Sequence, residues 1–240
     1  MRAMEMRSEP MKQKQPRSGA LRGFSIFEML LVMSIVALLV GMAAPALTSV
    51  LKGSKLTQAG DLIRDQFAAA SEIATTESRE VVVRFFKYDD DMIPGSESAF
   101  RAFQLVGRLS PSDVDQVDAG RRPEPEVLSK VFRLPDGIIV SEREAYSTIL
   151  TEEELRCPSG TTVAKRGGEA GETIQAECYS FGFRADGTTS LPVGSRYRDS
   201  VWFLTLVDEN QASASGDGLS TNFITLQVDP FTGNVRKFQP

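Results

Sequence analysis

The sequence predicts an α+β protein, one long N-terminal helix followed by a mainly antiparallel β-sheet domain. Three observations carry this. An apolar run from Phe24 to Leu51 is followed directly by apolar residues at spacings of three and four. From Glu80 onward the period shortens, and short runs rich in β-branched and aromatic residues take over. Asp-Gly and Pro-Phe-Thr-Gly turns punctuate those runs.

The N-terminal 23 residues are basic. They hold Arg2, Arg7, Lys12, Lys14, Arg17 and Arg22 against Glu5 and Glu9, a charge of +4, and the remaining residues carry −9, for a net charge of −5. A basic start before an apolar run orients a chain in a membrane with its basic side in the cytoplasm. The run itself is 28 residues long and contains one charge, Glu28. About 20 apolar residues suffice to cross a bilayer as a helix. One span is therefore expected, with the part after Leu51 exported. A mean hydropathy of −0.16 speaks against further spans. A cleaved secretory signal fits less well, since its apolar core is about 7–15 residues and Pro45 follows Ala43-Ala44 where cleavage would occur. A plain signal anchor is the other alternative.

Glu28 is the informative residue. A carboxylate in a membrane helix costs roughly 2.5–3.5 kcal/mol at the bilayer centre and less near the interface, so one found there usually has a partner or a task. It lies four residues beyond Phe24, in Gly23-Phe24-Ser25-Ile26-Phe27-Glu28. Cutting the Gly23–Phe24 bond would create an α-amine at the helix start, cationic at neutral pH because its reference pKa is about 7.7–8.0. That amine cannot easily fold back onto Glu28 within one straight helix. It can meet the Glu28 of a neighbouring copy staggered along a filament, so that two costly charges become one ion pair.

The segment Gly23-Phe24-Ser25-Ile26-Phe27-Glu28 resembles the class III signal of type IV prepilins and pseudopilins. The resemblance implies a membrane aspartyl peptidase that cuts after Gly23 and methylates the new N-terminal Phe24. It assigns Glu28 to assembly and Pro45 to a softening bend in the stem. The usual family pattern ends Phe-Thr-Leu-Ile-Glu, and here it reads Phe-Ser-Ile-Phe-Glu. The partners implied are other pilin-like subunits, met through the N-terminal helix, the prepilin peptidase/methyltransferase, and the inner membrane. The β-rich part would lie in the periplasm, and then in a periplasmic or surface filament of a type II secretion system or type IV pilus.

Beyond Lys52 the pattern turns amphipathic. Leu56, Ala59, Leu62, Ile63, Phe67, Ala70, Ile73 and Ala74 form an apolar stripe, with polar residues such as Lys55, Asp61, Arg64 and Glu72 between them. The domain plan is a leader over 1–23, an assembly helix over 24–51, its amphipathic continuation over 52–78, and a globular domain over 79–240. A helix from Phe24 to Ser78 would be about 80 Å long, loosened at Gly41 and Pro45. Strands are expected at Glu80–Phe86, Ala99–Val106, Val127–Leu134, Gly137–Val140, Cys178–Arg184, Val201–Val207, Phe223–Val228 and Asn234–Phe238, the last two as a hairpin. Residues 107–126 and the Gly-rich stretch 158–176 read as loops. The second half, through Phe181-Gly-Phe-Arg-Ala-Asp186-Gly187 and the closing Ile224–Arg236 segment, resembles the H-type minor pseudopilins of type II secretion and the FimT-like minor pilins. It also resembles the small pseudopilins of the Verru_Chthon cassette protein D group. These likenesses together cover residues 18–106 and 178–238.

Little else in the chain points to chemistry. There is no histidine, which excludes Ser-His-Asp and Cys-His catalysis and every His-ligated metal. Two cysteines cannot hold a zinc ribbon or an iron–sulfur cluster. Cys157 and Cys178 suit a disulfide in an exported domain, two buried thiols being the alternative. A bridge over that interval would contribute about 3 kcal/mol. Asp89-Asp90-Asp91 lacks calcium-loop spacing and reads as a solvated turn. Thr151 before Glu152-Glu153-Glu154 has capping-box spacing, and so reads as a helix start rather than paired catalytic acids. Arg236 and Lys237 are too few, in a chain of net negative charge, for a nucleic-acid surface. Trp202, between Val201 and Phe203, reads as core. No enzyme, cofactor or metal is expected. A fixed, unpolymerised binding module for DNA or a surface ligand is the competing class, and a membrane-tethered carboxylate hydrolase a third.

Overall fold

The computed structural model describes residues 24–92, 97–108, 126–169, 171–194, 201–210 and 222–240, and over 43–50 the backbone alone. The chain divides into two compact units, Met1–Leu47 and Thr48–Pro240. Helix α1, Ile26–Thr76, contributes its first part to one and its second part to the other. Among the described residues eleven strands follow, all in the second unit. They are β1 (Val81–Tyr88), β2 (Ala99–Gly107), β3 (Glu126–Val127), β4 (Phe132–Arg133), β5 (Ile138–Val140), β6 (Thr162–Ala164), β7 (Thr173–Gln175), β8 (Glu177–Phe183), β9 (Trp202–Asp208), β10 (Phe223–Val228) and β11 (Val235–Phe238). The architecture is α+β, a helix on a mainly antiparallel sheet.

Helix α1 stops two residues before Ser78. Ser78 adopts φ 52, in the left-handed region, and Arg79 N–H donates to Ala74 O at 3.2 Å. That is the six-to-one bond of a Schellman ending, here built on serine rather than glycine. Upstream, the stripe seats as the spacing predicts. Leu56, Ala59, Ile63, Phe67, Ala70 and Ala74 are buried in the core, with Leu62 and Ile73 packed partly against it.

The main sheet runs β11-β10-β9-β5-β2-β1-β8, with β3 and β4 also paired to β2. The expected strand Val127–Leu134 is therefore two short ones. Glu126–Val127 pairs with Val106 and Gly107, and Phe132–Arg133 with Ala102 and Phe103. Between them Ser129 leaves the extended path and spends its hydroxyl on Leu105 N–H at 2.9 Å. The stretch 158–176 is not only loop, since β6 and β7 form a small antiparallel hairpin within it. Val163 and Ile174 of that hairpin cover a second apolar cluster with Phe86, Tyr88, Ala102 and Cys178.

The two sides of the sheet meet. Past β8, Thr189 N–H donates at 2.9 Å to Pro230 O in the β10–β11 turn. A strand order that starts at β11 and ends at β8 can do this only if the sheet curls. At the contact Gly233 has φ +64, and a Cβ there would stand 2.7 Å from Gly187 O. Only glycine fits both conditions. Inside the curl Phe67 sits against Phe85, Phe181 and Phe183 at ring-centroid distances of 6.1, 5.4 and 5.8 Å. Gly60 lets the helix approach β10, because a Cβ there would be 3.0 Å from Ile224 Cγ2. Trp202 is buried in the same core, and its indole N–H donates to Pro192 O at 3.1 Å.

Candidate assembly site

From Phe24 to Met42, the part of the first unit whose side chains are described, the chain is an exposed, mainly apolar helix with one acid, Glu28. Gly23 lies outside the described residues, and Phe24 is 74% exposed. Ser25 caps the helix. Its carbonyl accepts from Met29 N–H at 3.1 Å, and its hydroxyl accepts from Phe27 N–H at 3.3 Å. That is the N-cap arrangement, in which a side-chain oxygen satisfies a first-turn amide left without a partner. Glu28 stands in the first turn, where the positive end of the helix dipole favours a carboxylate. Sequence reading missed the cap, although Ser25-x-x-Glu28 has capping-box spacing.

From Phe24 to Met42 every side chain is exposed. The exposed apolar residues include Ile26, Leu30, Ile35, Val36 and Leu39, which lie on all sides of the helix. A helix apolar all round belongs in a membrane or among other helices. The apolar run continues in sequence to Leu51, through Pro45 and the stretch whose side chains lie outside the described residues. Among the described residues no helix is long and apolar enough to cross a membrane.

Several charged groups of the second unit are tied into the fold. Lys237, one of the two basic residues considered for nucleic acid, is paired with Asp61 of α1 at 2.8 Å, while Arg236 is exposed. The acidic triplet is not simply solvated. Asp90 is buried, accepts Met92 N–H at 3.1 Å and pairs with Arg166 at 3.4 Å. Arg166 also holds Asp136 at 2.6 Å, and that hydrogen bond keeps the Asp136 carboxyl below its ordinary value. Thr151 caps nothing. Its hydroxyl donates back to Ser147 O and Thr148 O, and the 3-10 turn Glu153–Leu155 starts from Glu152 with no side-chain cap.

A part-buried ion pair escaped the sequence reading. The pairings Phe86–Ala102 and Lys87–Phe100 leave Arg101 unmatched, as a β-bulge in β2. Arg101 is buried there and grips both oxygens of Glu209, with 3.0 Å between Nη1 and Oε2. Cys157 and Cys178 form a disulfide with their Cα atoms 5.1 Å apart. Among the described residues no group of three or more potential ligands is placed to hold a metal ion.

Fold and site together define a class: an α+β domain preceded by an apolar helix with one acid in its first turn. No family model and no curated protein matches the chain. Among solved structures it is similar to the minor pseudopilin EpsH from the type 2 secretion system of Vibrio cholerae. The identity is 10% and the TM-score 0.35, over 78% of this chain and 98% of that one.

Proposed function

We propose that this chain is a prepilin-like minor pseudopilin. It is cleaved after Gly23, methylated on the Phe24 amine, and assembled through its N-terminal helix into a type II secretion pseudopilus or a type IV pilus-like filament. The observation that carries the reading is the solitary charge, Glu28, in the segment from Phe24 to Met42, where every side chain is exposed and most are apolar. Before assembly the stretch from Phe24 to Leu51 spans the inner membrane once, with the leader in the cytoplasm and the β domain in the periplasm. Pro45 softens the helix within the span. In the filament the amine of one subunit meets Glu28 of the next, and side chains exposed in the single chain become helix–helix contacts. The protein works by assembly, without a catalytic centre, cofactor or nucleic-acid ligand of its own.

The test is the N-terminus of membrane-extracted protein together with Glu28→Ala. Processing should expose Phe24 in both wild type and variant, while the variant fails to enter filaments. Gly23→Leu should block cleavage. A retained leader in the wild type would leave a fixed anchor and end the filament reading. Normal incorporation of Glu28→Ala would end the pairing role.

A further inference from the structure

Strand β8 closes one side of the sheet, and its outer edge is covered in two pieces. Toward its C-terminal end the returning chain covers it. Ser190 N–H donates to Gly182 O at 2.8 Å, and Gly182 N–H donates to the Ser190 hydroxyl at 2.6 Å. Toward its N-terminal end the cover is a strap that arrives from upstream. Cys157 N–H donates to Cys178 O at 2.7 Å, and Arg156 forms a bridge with Tyr179. Alternate residues of an antiparallel strand turn their backbone groups to the same side. Cys178 and Gly182 thus both face away from β1, one served by the strap and the other by the return.

The strap is anchored just upstream by Leu155, which is buried in the main core. Arg156 pairs with Glu177 at 3.0 Å, both partly exposed, and also with Glu153 at 3.6 Å, and such surface pairs contribute little. The disulfide ends on the strap itself. Cys178 is buried and Cys157 only half-buried. Both line a solvent-open cleft of about 690 Å³, walled also by Lys87, Glu153, Arg156 and Glu177. Of the two cysteines, Cys157 is the more exposed.

We propose that the Cys157–Cys178 bond is a redox latch on the β8 edge, closed and opened through Cys157 by thiol–disulfide exchange with a disulfide-bearing oxidoreductase or small disulfide. In closing, the Cys157 thiolate attacks one donor sulfur, breaking the donor S–S bond and releasing one donor thiolate. The Cys178 thiolate then attacks Cys157 Sγ in the mixed disulfide, forming the internal bond and releasing the second donor thiolate. Two protein thiols are oxidised, one donor disulfide becomes two thiols, and the two protein protons pass to solvent or the donor. Opening is the reverse, with a dithiol as reductant. With the latch open the short segment after the Leu155 anchor lifts, and the Cys178 carbonyl on the β8 edge is freed for another extended strand. None of this depends on filament assembly.

Hydrogen exchange on the full-length protein in detergent, oxidised and then reduced by dithiothreitol with reduction checked by mass, reads the latch. The Cys157 amide should exchange about tenfold faster on reduction, while the Ser190 amide stays within about twofold. An unchanged Cys157 amide, or equal loss at both, overturns the proposal, the latter making the bond a staple of the whole fold. Glutathione disulfide tests the route. The thiol of Cys178→Ser should form a mixed disulfide about tenfold faster than that of Cys157→Ser. Should a variant fail to fold, acid-quenched mapping of the reduced wild type gives the same answer. Glutathione must appear first on Cys157, and first appearance on Cys178 overturns the route.

Discussion

Phe67→Ala tests whether the amphipathic half of α1 and the curled sheet are one core. The Phe67 side chain is fully buried, and its three ring neighbours come from two adjacent strands, Phe85 from β1 and Phe181 and Phe183 from β8. Those rings cannot easily close the space left by the phenyl group, because β1 and β8 are held in continuous register from Val81–Phe183 to Lys87–Glu177. Truncating a buried Phe costs about 3–5 kcal/mol, more where the site collapses poorly. The upper half of that range is expected here, a large share of the 5–15 kcal/mol that a domain typically has. Trp202 is the only tryptophan and is buried, so its fluorescence follows unfolding of the core directly. Guanidinium titration of the full chain in detergent should show a lower midpoint at unchanged slope. Phe67→Leu, which refills part of the space, should lose distinctly less. A loss below about 1 kcal/mol for Phe67→Ala would be that of a surface position, and the helix would not be part of the core.

Three further outcomes are expected. Gly60→Leu should lower the same midpoint by about 1–3 kcal/mol through overpacking, since even a Cβ there stands 3.0 Å from Ile224 Cγ2; a neutral effect would mean the helix–β10 approach is looser than described. Arg101→Met should cost about 1–3 kcal/mol by leaving the part-buried Glu209 without its guanidinium, whereas Arg101→Met with Glu209→Met should recover much of that; a double variant no better than the single one would count against a paired role. Hydrogen bonds hold Asp136, Asp186 and Asp229, among other described carboxyls, below their ordinary values: Arg166 acts on Asp136, the Thr188 hydroxyl and amide on Asp186, and the Phe231 amide with the Thr232 hydroxyl on Asp229. Their stabilisation is fully present above the unfolded value of about 3.9 and fades as pH falls through the lower folded values. The fall in Tm with acidification below about pH 4 should therefore be shallower in an Asp136→Asn/Asp186→Asn/Asp229→Asn variant, and equal slopes would refute the assignment.

What could be read from the sequence was what is repeated locally. The helical stripe from Leu56 to Ala74 repeats every three or four residues, and six of its eight members are buried. The β10–β11 hairpin combines alternation with a turn signal, and its register runs from Thr225–Phe238 to Val228–Val235. What could not be read depends on residues far apart in the chain. Nothing near Asp90 announces that Arg166, 76 residues later, makes its burial tolerable. Nothing near Arg101 points to Glu209, 108 residues on. Hairpin β6–β7 has strands of three residues each, too short for alternation to stand out from a Gly-rich stretch. Thr151 misled because its spacing to Glu154 fits a cap, while the carbonyls of Ser147 and Thr148 lie nearer to its hydroxyl.

At the N-terminus the same residues have a local role and, under the proposed assembly, a collective one, and magnitudes separate the two. Ser25 caps α1, and Glu28 stands where capping box and helix dipole both favour an acid. A cap is worth about 1 kcal/mol and the dipole about 0.3–1 kcal/mol. In the proposed membrane span the carboxylate would cost roughly 2.5–3.5 kcal/mol at the bilayer centre, less toward the interface. Local structure offsets that cost only in part, and the remainder is what a cation from a neighbouring subunit would remove. Glutamine separates the roles, because it serves the capping box as glutamate does but carries no charge. Glu28→Gln should keep the helix start, read as unchanged backbone-amide protection over Phe27 to Leu31, and should still lose filament incorporation as Glu28→Ala does. A Glu28→Gln protein that assembles normally would show that the carboxylate is there for the helix and not for the neighbour.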